Sequence, residues 1–166
     1  MSPDGRLAAG AGANGLVYVL PVSNDARAGQ VRTLRGHNGT IMSTAFSPDS
    51  RLVVTAGMDG TARIWDASTG QAISTLQAHP GGVAVARFSI DGRKLLTVGY
   101  DGTVKTWSTQ SGALVWTFVG HRNVSWNVDM HPDGERFVTS GFDGTVRVWR
   151  GIRKTLEQER IGTTAH

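Results

Sequence analysis

The chain has 166 residues and a formal net charge of +4, which is long enough for one domain with a buried core. It contains no cysteine, which excludes disulfides, thiolate metal sites and cysteine nucleophiles and favours a reducing, cytoplasmic location. Its 22 glycines predict many tight turns, and the scattered basic residues make nucleic acid an unexpected partner.

The first twenty residues include Asp4 and several glycines, and they lack an unbroken apolar run. We therefore expect neither a signal peptide nor a membrane span here, and no membrane as a partner. The Ser2, Pro3, Asp4 turn matches a later turn at Ser47 with a shift of 45 residues. Residues 1–34 are accordingly predicted to be a partial, degenerate unit followed by an insert.

Residues 35–76 show the full scheme of one unit, in which short apolar or β-branched runs alternate with turn residues. The predicted strands cover residues 41–46, 52–57, 61–65 and 71–76. Asp59 and Gly60 supply the positive φ angles of a tight hairpin between the second and third strands. Four antiparallel strands in about 42 residues are typical of one propeller blade.

The same scheme returns twice at a constant step of 42 residues, which indicates stacked repeats. The columns that keep this step include Asp59, Asp101 and Asp143, and also Trp65, Trp107 and Trp149. We therefore predict an all-β chain of propeller blades in an incomplete ring. Its repeats lie at residues 35–76, 77–118 and 119–158, and a polar tail lies at residues 159–166.

These repeats resemble the WD-repeat family, whose units begin near a Gly-His pair and end near a Trp-Asp pair. Gly36, His37, Trp65 and Asp66 carry both pairs. The next unit has Ala78 before its histidine and Ser108 after its tryptophan, whereas the last unit keeps Gly120 before its histidine and has Arg150 after its tryptophan. The resemblance covers nearly the whole chain. It implies a hydrogen-bonded tetrad in each complete blade, formed by a histidine, a serine or threonine, the hairpin aspartate and the tryptophan.

Three complete tetrads are expected from this resemblance, and the first unit has Gly10, Asn14 and Leu20 at the corresponding positions. The expected tetrads are His37, Thr55, Asp59, Trp65; His79, Thr97, Asp101, Trp107; and His121, Thr139, Asp143, Trp149. One alternative is that histidine, threonine and aspartate form a nucleophilic relay, and another is that the three histidines hold a metal ion. Residues one blade apart lie around a ring and do not converge, so we expect no catalytic residues, no metal and no cofactor.

Large apolar side chains precede the hairpin aspartates, where a turn would usually be polar. In WD repeats this position and one early in the first strand line the top face used for partner recognition. The resemblance therefore assigns a partner-binding role to Met42, Met58, Tyr100, Trp126 and Phe142. The alternative is that these side chains pack between neighbouring blades.

The expected function is a non-catalytic scaffold for protein or peptide partners, as part of a larger regulatory or signalling protein. The alternative is the propeller portion of an enzyme whose catalytic residues lie outside this chain. A propeller closes on itself with four to eight blades, whereas this sequence holds three complete units and part of another. Additional blades from a longer chain, or self-association of two copies, could complete the ring.

Overall fold

The computed structural model describes residues 1–22 and 30–151, and the regular elements in these two ranges are all β-strands. In chain order the strands are β1 (Leu7–Ala11), β2 (Leu16–Pro21), β3 (Arg32–Arg35), β4 (Ile41–Phe46), β5 (Leu52–Gly57), β6 (Thr61–Asp66), β7 (Ala72–Gln77), β8 (Val83–Phe88), β9 (Lys94–Gly99), β10 (Thr103–Ser108), β11 (Leu114–Val119), β12 (Ser125–Met130), β13 (Arg136–Gly141) and β14 (Val146–Arg150). No helix in the described part of the chain is long and apolar enough to cross a membrane.

The strands form four separate antiparallel sheets, each built from consecutive strands of the chain, and each sheet is one blade. Blade 1 contains β1 to β3, blade 2 contains β4 to β7, blade 3 contains β8 to β11, and blade 4 contains β12 to β14. Within each blade, neighbours in sequence are neighbours in the sheet, as expected for strands joined by short hairpins. This arrangement confirms the predicted all-β class and the incomplete ring of propeller blades.

The predicted strands of blade 2 agree closely with the observed ones. Strands β4 and β5 have the predicted bounds, β6 extends one residue further to Asp66, and β7 is shifted by one residue to Ala72–Gln77. The end of the repeat predicted at residues 119–158 and the polar tail predicted at residues 159–166 both fall in residues 152–166, which lie outside the described residues. Residues 23–29 of the predicted insert also lie outside them.

Three apolar cores hold the blades together, one between each successive pair. Between blades 1 and 2, Val17 and Val19 pack with Val53 and Trp65, and all four side chains are almost completely buried. The next two cores follow the same plan with residues from blades 2 and 3 and from blades 3 and 4. Alternation of side chains along each strand gives every blade two apolar faces, so an interior blade is buried on both sides.

Candidate functional site

The four expected tetrad members of blade 2 lie in one hydrogen-bonded chain. The indole N–H of Trp65 donates to Thr55 Oγ1 at 2.9 Å, and Thr55 Oγ1 lies 2.7 Å from His37 Nε2. On its other side, His37 Nδ1 lies 2.9 Å from Asp59 Oδ2. Because the indole can only donate, the chain is satisfied when the threonine hydroxyl donates to Nε2 and the Nδ1–H donates to the carboxylate.

The other two complete tetrads repeat this geometry. In blade 3, Thr97 Oγ1 lies 2.9 Å from the indole nitrogen of Trp107 and 2.8 Å from His79 Nε2, and His79 Nδ1 lies 2.9 Å from Asp101. In blade 4, the corresponding distances are 2.8, 2.8 and 3.1 Å for Trp149, Thr139, His121 and Asp143. Each series of hydrogen bonds links the segment before the first strand of its blade to the second strand, the hairpin and the third strand.

The hairpin threonine is a fifth member that the sequence prediction omitted. Thr61 donates both its N–H and its hydroxyl to Asp59 Oδ1, at 3.0 and 2.7 Å, and Thr103 and Thr145 do the same in their blades. The recurring Asp-Gly-Thr triplet was the signal that could have identified it. The carboxylate is therefore held from two sides, by the histidine and by its own hairpin.

The surroundings of the tetrads in blades 2 and 3 favour neutral histidines and ionised aspartates. Burial lowers the pKa of His37 and of His79, although the neighbouring carboxylate acts in the opposite direction. Burial by itself would raise the pKa of Asp59, but hydrogen bonds from the Asn38 N–H and from Thr61 lower it to about 2. The polar groups thus satisfy one another, as expected for a structural network.

The three tetrads remain separate, one to a blade. Among residues 1–22 and 30–151, no group of three or more histidine, aspartate or glutamate side chains is arranged to hold a metal ion. The hydroxyl of each tetrad threonine already accepts from the indole. Thr55, Thr97 and Thr139 are also at most 1% exposed, so a substrate has no access to these hydroxyls in the folded blades.

Blade 1 keeps its hairpin without a tetrad. Asn14 occupies the hairpin position, and its side-chain oxygen accepts the N–H of Leu16 at 3.2 Å. Gly10 and Leu20 cannot make the other polar bonds. The turn is therefore maintained by a local side-chain bond, and among the described residues of blade 1 the strands are joined without a side-chain tetrad.

The five residues assigned to the top face lie along one edge of blades 2 to 4, and we refer to them as the top-face patch. The backbone N–H of Met58 bonds to Thr40, which precedes β4, and the N–H of Phe142 bonds to Val124, which precedes β12. These bonds place the hairpin residue of a blade beside the entrance of its first strand. Met42, Met58, Trp126 and Phe142 are exposed, whereas Tyr100 is half-buried.

Ring contacts join the members of the patch across the blades. The ring centroids of Tyr100 and Trp126 are 5.8 Å apart in an edge-on arrangement, and those of Trp126 and Phe142 are 6.4 Å apart. A Cβ added at Gly82 would lie 3.2 Å both from the Met58 sulfur and from a Tyr100 ring carbon. Met58, Tyr100, Trp126 and Phe142 therefore form a connected surface across blades 2, 3 and 4, and Gly82 lies beneath it.

A β-bulge places the strand members of the patch. The pairing of the first two strands shifts register between Ile41 and Ser43 in blade 2 and between Ser125 and Asn127 in blade 4. The unpaired residues are Met42 and Trp126. Met42 and Trp126 are exposed and directly follow the buried residues Ile41 and Ser125. Blade 3 has the same bulge between Val83 and Val85, but its extra residue Ala84 is buried, so the bulge fixes the position of these side chains and does not by itself expose them.

The third strand of each complete tetrad's blade carries a basic residue whose side chain packs against the turn before the tetrad histidine. A Cβ added at Gly36 would lie 2.6 Å from Arg63 Nη1, and one added at Gly120 would lie 3.2 Å from Arg147 Nη1. The corresponding turn of blade 3 carries Ala78, whose carbonyl accepts a 2.6 Å hydrogen bond from the Lys105 ammonium. The change from Gly-His to Ala-His therefore coincides with a change from the broad guanidinium to the slender lysine.

Comparison with known families matches three segments of the chain, residues 28–66, 70–108 and 112–150, to "WD domain, G-beta repeat" (WD40). These segments start earlier than the blades, because each combines the last strand of one blade with the first three strands of the next. Blade 1 contributes only its outer strand to the first matched segment. The matches cover well over half of the chain.

Several curated proteins are similar to parts of this chain. WD repeat-containing protein 1 of Xenopus tropicalis is 33% identical over 73 residues, which are 44% of this chain and 12% of that protein. WD repeat and HMG-box DNA-binding protein 1 of Xenopus laevis is 41% identical over 63 residues, or 38% of this chain and 5% of that protein. Protein LST8 homolog of Drosophila melanogaster is 41% identical over 69 residues, or 39% and 22%. The chain thus matches less than a quarter of each relative's length.

Proposed function

The chain belongs to the WD40-repeat family, and we propose that it is a non-catalytic scaffold that binds protein or peptide partners through the top-face patch. Repeats of this family generally act as scaffolds for protein–protein interaction. The main support for this proposal is the connected aromatic surface of Tyr100, Trp126 and Phe142, which remains accessible although it is apolar. A larger regulatory protein is the proposed context.

The composition of the patch suits a partner with apolar side chains. Tyrosine and tryptophan provide a large contact area with few rotatable bonds, and methionine adapts to irregular surfaces. Phe142 is 66% exposed and so loses the most contact with water when a partner covers it. We expect an extended apolar peptide to lie across the edge of blades 2 to 4.

The non-catalytic part of the proposal is supported by the state of the polar groups. All three tetrad histidines are bonded to a threonine and an aspartate of their own blade, which supports a structural role for them. The cytoplasm is the proposed location, because the sequence contains no cysteine.

The experiment is a selection from a displayed random-peptide library on the wild-type protein, followed by binding measurements with a double variant. Trp126→Ala with Phe142→Ala removes two exposed rings of the patch. The matched control is Ile73→Ala with Ile90→Ala, which removes two similarly exposed apolar side chains outside the patch. We expect the selected peptides to lose at least about tenfold in affinity for the patch variant, since hot-spot aromatics contribute about 2 kcal/mol or more.

The control variant is expected to bind these peptides like the wild type. Equal loss with both variants would indicate non-specific adhesion to apolar surface and would contradict a recognition role for the patch. Thermal melts of both variants are needed beside the binding data, because a loss of folding would imitate a loss of binding.

A further inference from the structure

The tetrad aspartates of blades 2 and 4 have both carboxylate oxygens occupied. Their Oδ1 atoms accept hydrogen bonds from the hairpin threonines. Asp59 Oδ2 accepts the backbone N–H of Asn38 at 2.9 Å, and Asp143 Oδ2 accepts the backbone N–H of Arg122 at 3.0 Å. In each blade this second donor belongs to the residue that directly follows the tetrad histidine.

Blade 3 lacks the second donor, because its tetrad histidine is followed by Pro80 and proline has no N–H. The hydrogen bonds from His79 and Thr103 to Asp101 all end on Oδ1, at 2.8 to 3.0 Å. No donor among residues 1–22 and 30–151 bonds to Asp101 Oδ2. The Asp101 side chain is 22% exposed, against 11% and 9% for the other two tetrad aspartates. Asp101 Oδ2 is therefore an open acceptor, accessible to solvent.

The open oxygen carries a negative charge that its own blade does not neutralise. Burial acts to raise the pKa of Asp101, but hydrogen bonds from Thr103 and the nearby His79 lower it overall, so the carboxylate is ionised at neutral pH. Burial keeps His79 neutral by lowering its pKa. The Lys105 ammonium bonds to the carbonyl of Ala78 at 2.6 Å, and no lysine or arginine in the described part of the chain forms an ion pair with Asp101.

The open oxygen lies beside the aromatic part of the top-face patch. Tyr100 directly precedes Asp101, and its ring meets that of Trp126 edge-on, with the centroids 5.8 Å apart. The neighbouring loop, residues 80–82, has the sequence Pro-Gly-Gly and so carries no polar side chain. A Cβ added at Gly81 would have Tyr100 Cβ, 3.9 Å away, as its nearest neighbour among the described residues. A group of a bound partner therefore has room to approach between this loop and the rings.

We propose that Asp101 Oδ2 binds an arginine side chain of the partner peptide, next to an apolar residue that lies on the top-face patch. This inference rests on the proposed scaffold function and specifies the chemistry of the partner. A guanidinium is permanently charged, donates several N–H groups to a carboxylate and stacks on aromatic rings, which Tyr100 and Trp126 provide here. An anionic partner would meet an uncompensated negative charge at the same place.

The probes are the peptides selected on the wild-type protein and synthetic copies in which arginine is replaced by citrulline, which has the same shape and no charge. We expect the selected peptides to be enriched in arginine over the unselected library. The citrulline copies should bind at least about tenfold more weakly, since a hydrogen bond to a charged group is lost. Selected peptides without arginine, or equal binding of the citrulline copies, would overturn this inference and leave recognition by the patch intact. A selection that yields no peptide would contradict both.

Asp101→Asn locates the arginine on the protein. The amide oxygen of asparagine can take over the bonds made by Oδ1, while the charge of the carboxylate is removed. We expect the arginine and citrulline peptides to bind this variant equally well. Asp129→Asn is the matched control, because Asp129 is an exposed aspartate on β12 outside the tetrads, and it should keep the preference for arginine. A preference that persists in Asp101→Asn would place the arginine at another group and overturn the assignment.

Pro80→Ala tests the same oxygen with all tetrad side chains unchanged. It restores the backbone N–H that bonds to Oδ2 in blades 2 and 4, so the partner must share this acceptor and the preference for arginine over citrulline should fall by about threefold or more. Pro132→Ala, at an exposed proline in the turn after β12, is the matched control and should keep the preference. Thermal melts accompany the binding data. If Asp101→Asn does not melt cooperatively, Pro80→Ala decides, and an unchanged preference in it would overturn the proposal.

Discussion

The guanidinium of Arg63 lies against Gly36, so close that an added Cβ at Gly36 would be 2.6 Å from Arg63 Nη1. The same added atom would be 3.3 Å from the ring of Trp65, which belongs to the tetrad. Gly36 also has a φ of +156°, which residues with a side chain rarely adopt, so both the backbone and the neighbouring guanidinium favour glycine at this position. This relationship joins two columns that are 27 residues apart.

Gly36→Ala is expected to destabilise the protein by about 1 to 3 kcal/mol, because a side chain strains the backbone at this φ and also displaces the Arg63 guanidinium. Arg63→Lys should recover part of that loss in the double variant, since Ala78 and Lys105 coexist in blade 3. Chemical denaturation of the wild type, both single variants and the double variant gives the coupling free energy. Additive losses would show that the arginine is not what excludes the methyl group.

Asp101→Ala is expected to lower the free energy of unfolding by about 1 to 3 kcal/mol, because it leaves His79 and Thr103 without their acceptor. Glu135→Ala is the control, since it removes a carboxylate from an exposed turn. Denaturant melts of both variants provide the measurement. If the two variants melted alike, the tetrad would contribute nothing to the stability of blade 3.

Stability is expected to fall as the pH is lowered from 7.5 to 4.5. Burial lowers the pKa of His37 and His79 below the ordinary value of 6.5, so below pH 6.5 the unfolded chain binds more protons than the folded one. A second loss is expected between pH 4 and 2, because hydrogen bonds lower the pKa of Asp59 from 3.8 to about 2 despite its burial. Urea melts at fixed protein concentration test both steps. These histidines should cause no change between pH 7.5 and 8.5.

Tyr100→Ala and Phe142→Ala should differ in their effect on stability although both residues belong to the top-face patch. Tyr100 packs against the core between blades 3 and 4, so its loss is expected to cost about 2 to 4 kcal/mol. Phe142 is largely exposed, and its replacement should change stability by less than about 1 kcal/mol. Thermal and denaturant melts compare them. A large loss from Phe142→Ala would favour the packing interpretation for the whole patch.

Blade 2 shows how much of the structure could be predicted from the sequence. Alternating apolar residues and the Asp59–Gly60 hairpin fix β4 to β7 to within a residue, because both signals are local. The tetrad residues were identified through their equal spacing and the resemblance to WD repeats. Thr61 was missed as a member, since a threonine after a hairpin glycine is also an ordinary strand residue.

The top-face patch could be predicted only in part from the sequence. The sequence identified its five residues, but a bulge is a feature of pairing between strands, and the register shifts beside Met42 and Trp126 appear only in the sheet. The half-buried state of Tyr100 likewise depends on the core of the next blade. Binding and packing could not be separated residue by residue before the blades were placed side by side.

The sequence by itself determined the repeat, the strands and the polar tetrads, because periodicity, turn chemistry and donor–acceptor types are written along the chain. Only the tertiary structure decided which apolar columns are covered. Val54 and Val138 occupy the same column, yet one is fully buried and the other is exposed. Burial depends on whether a neighbouring blade is present, and that is a property of the assembled ring.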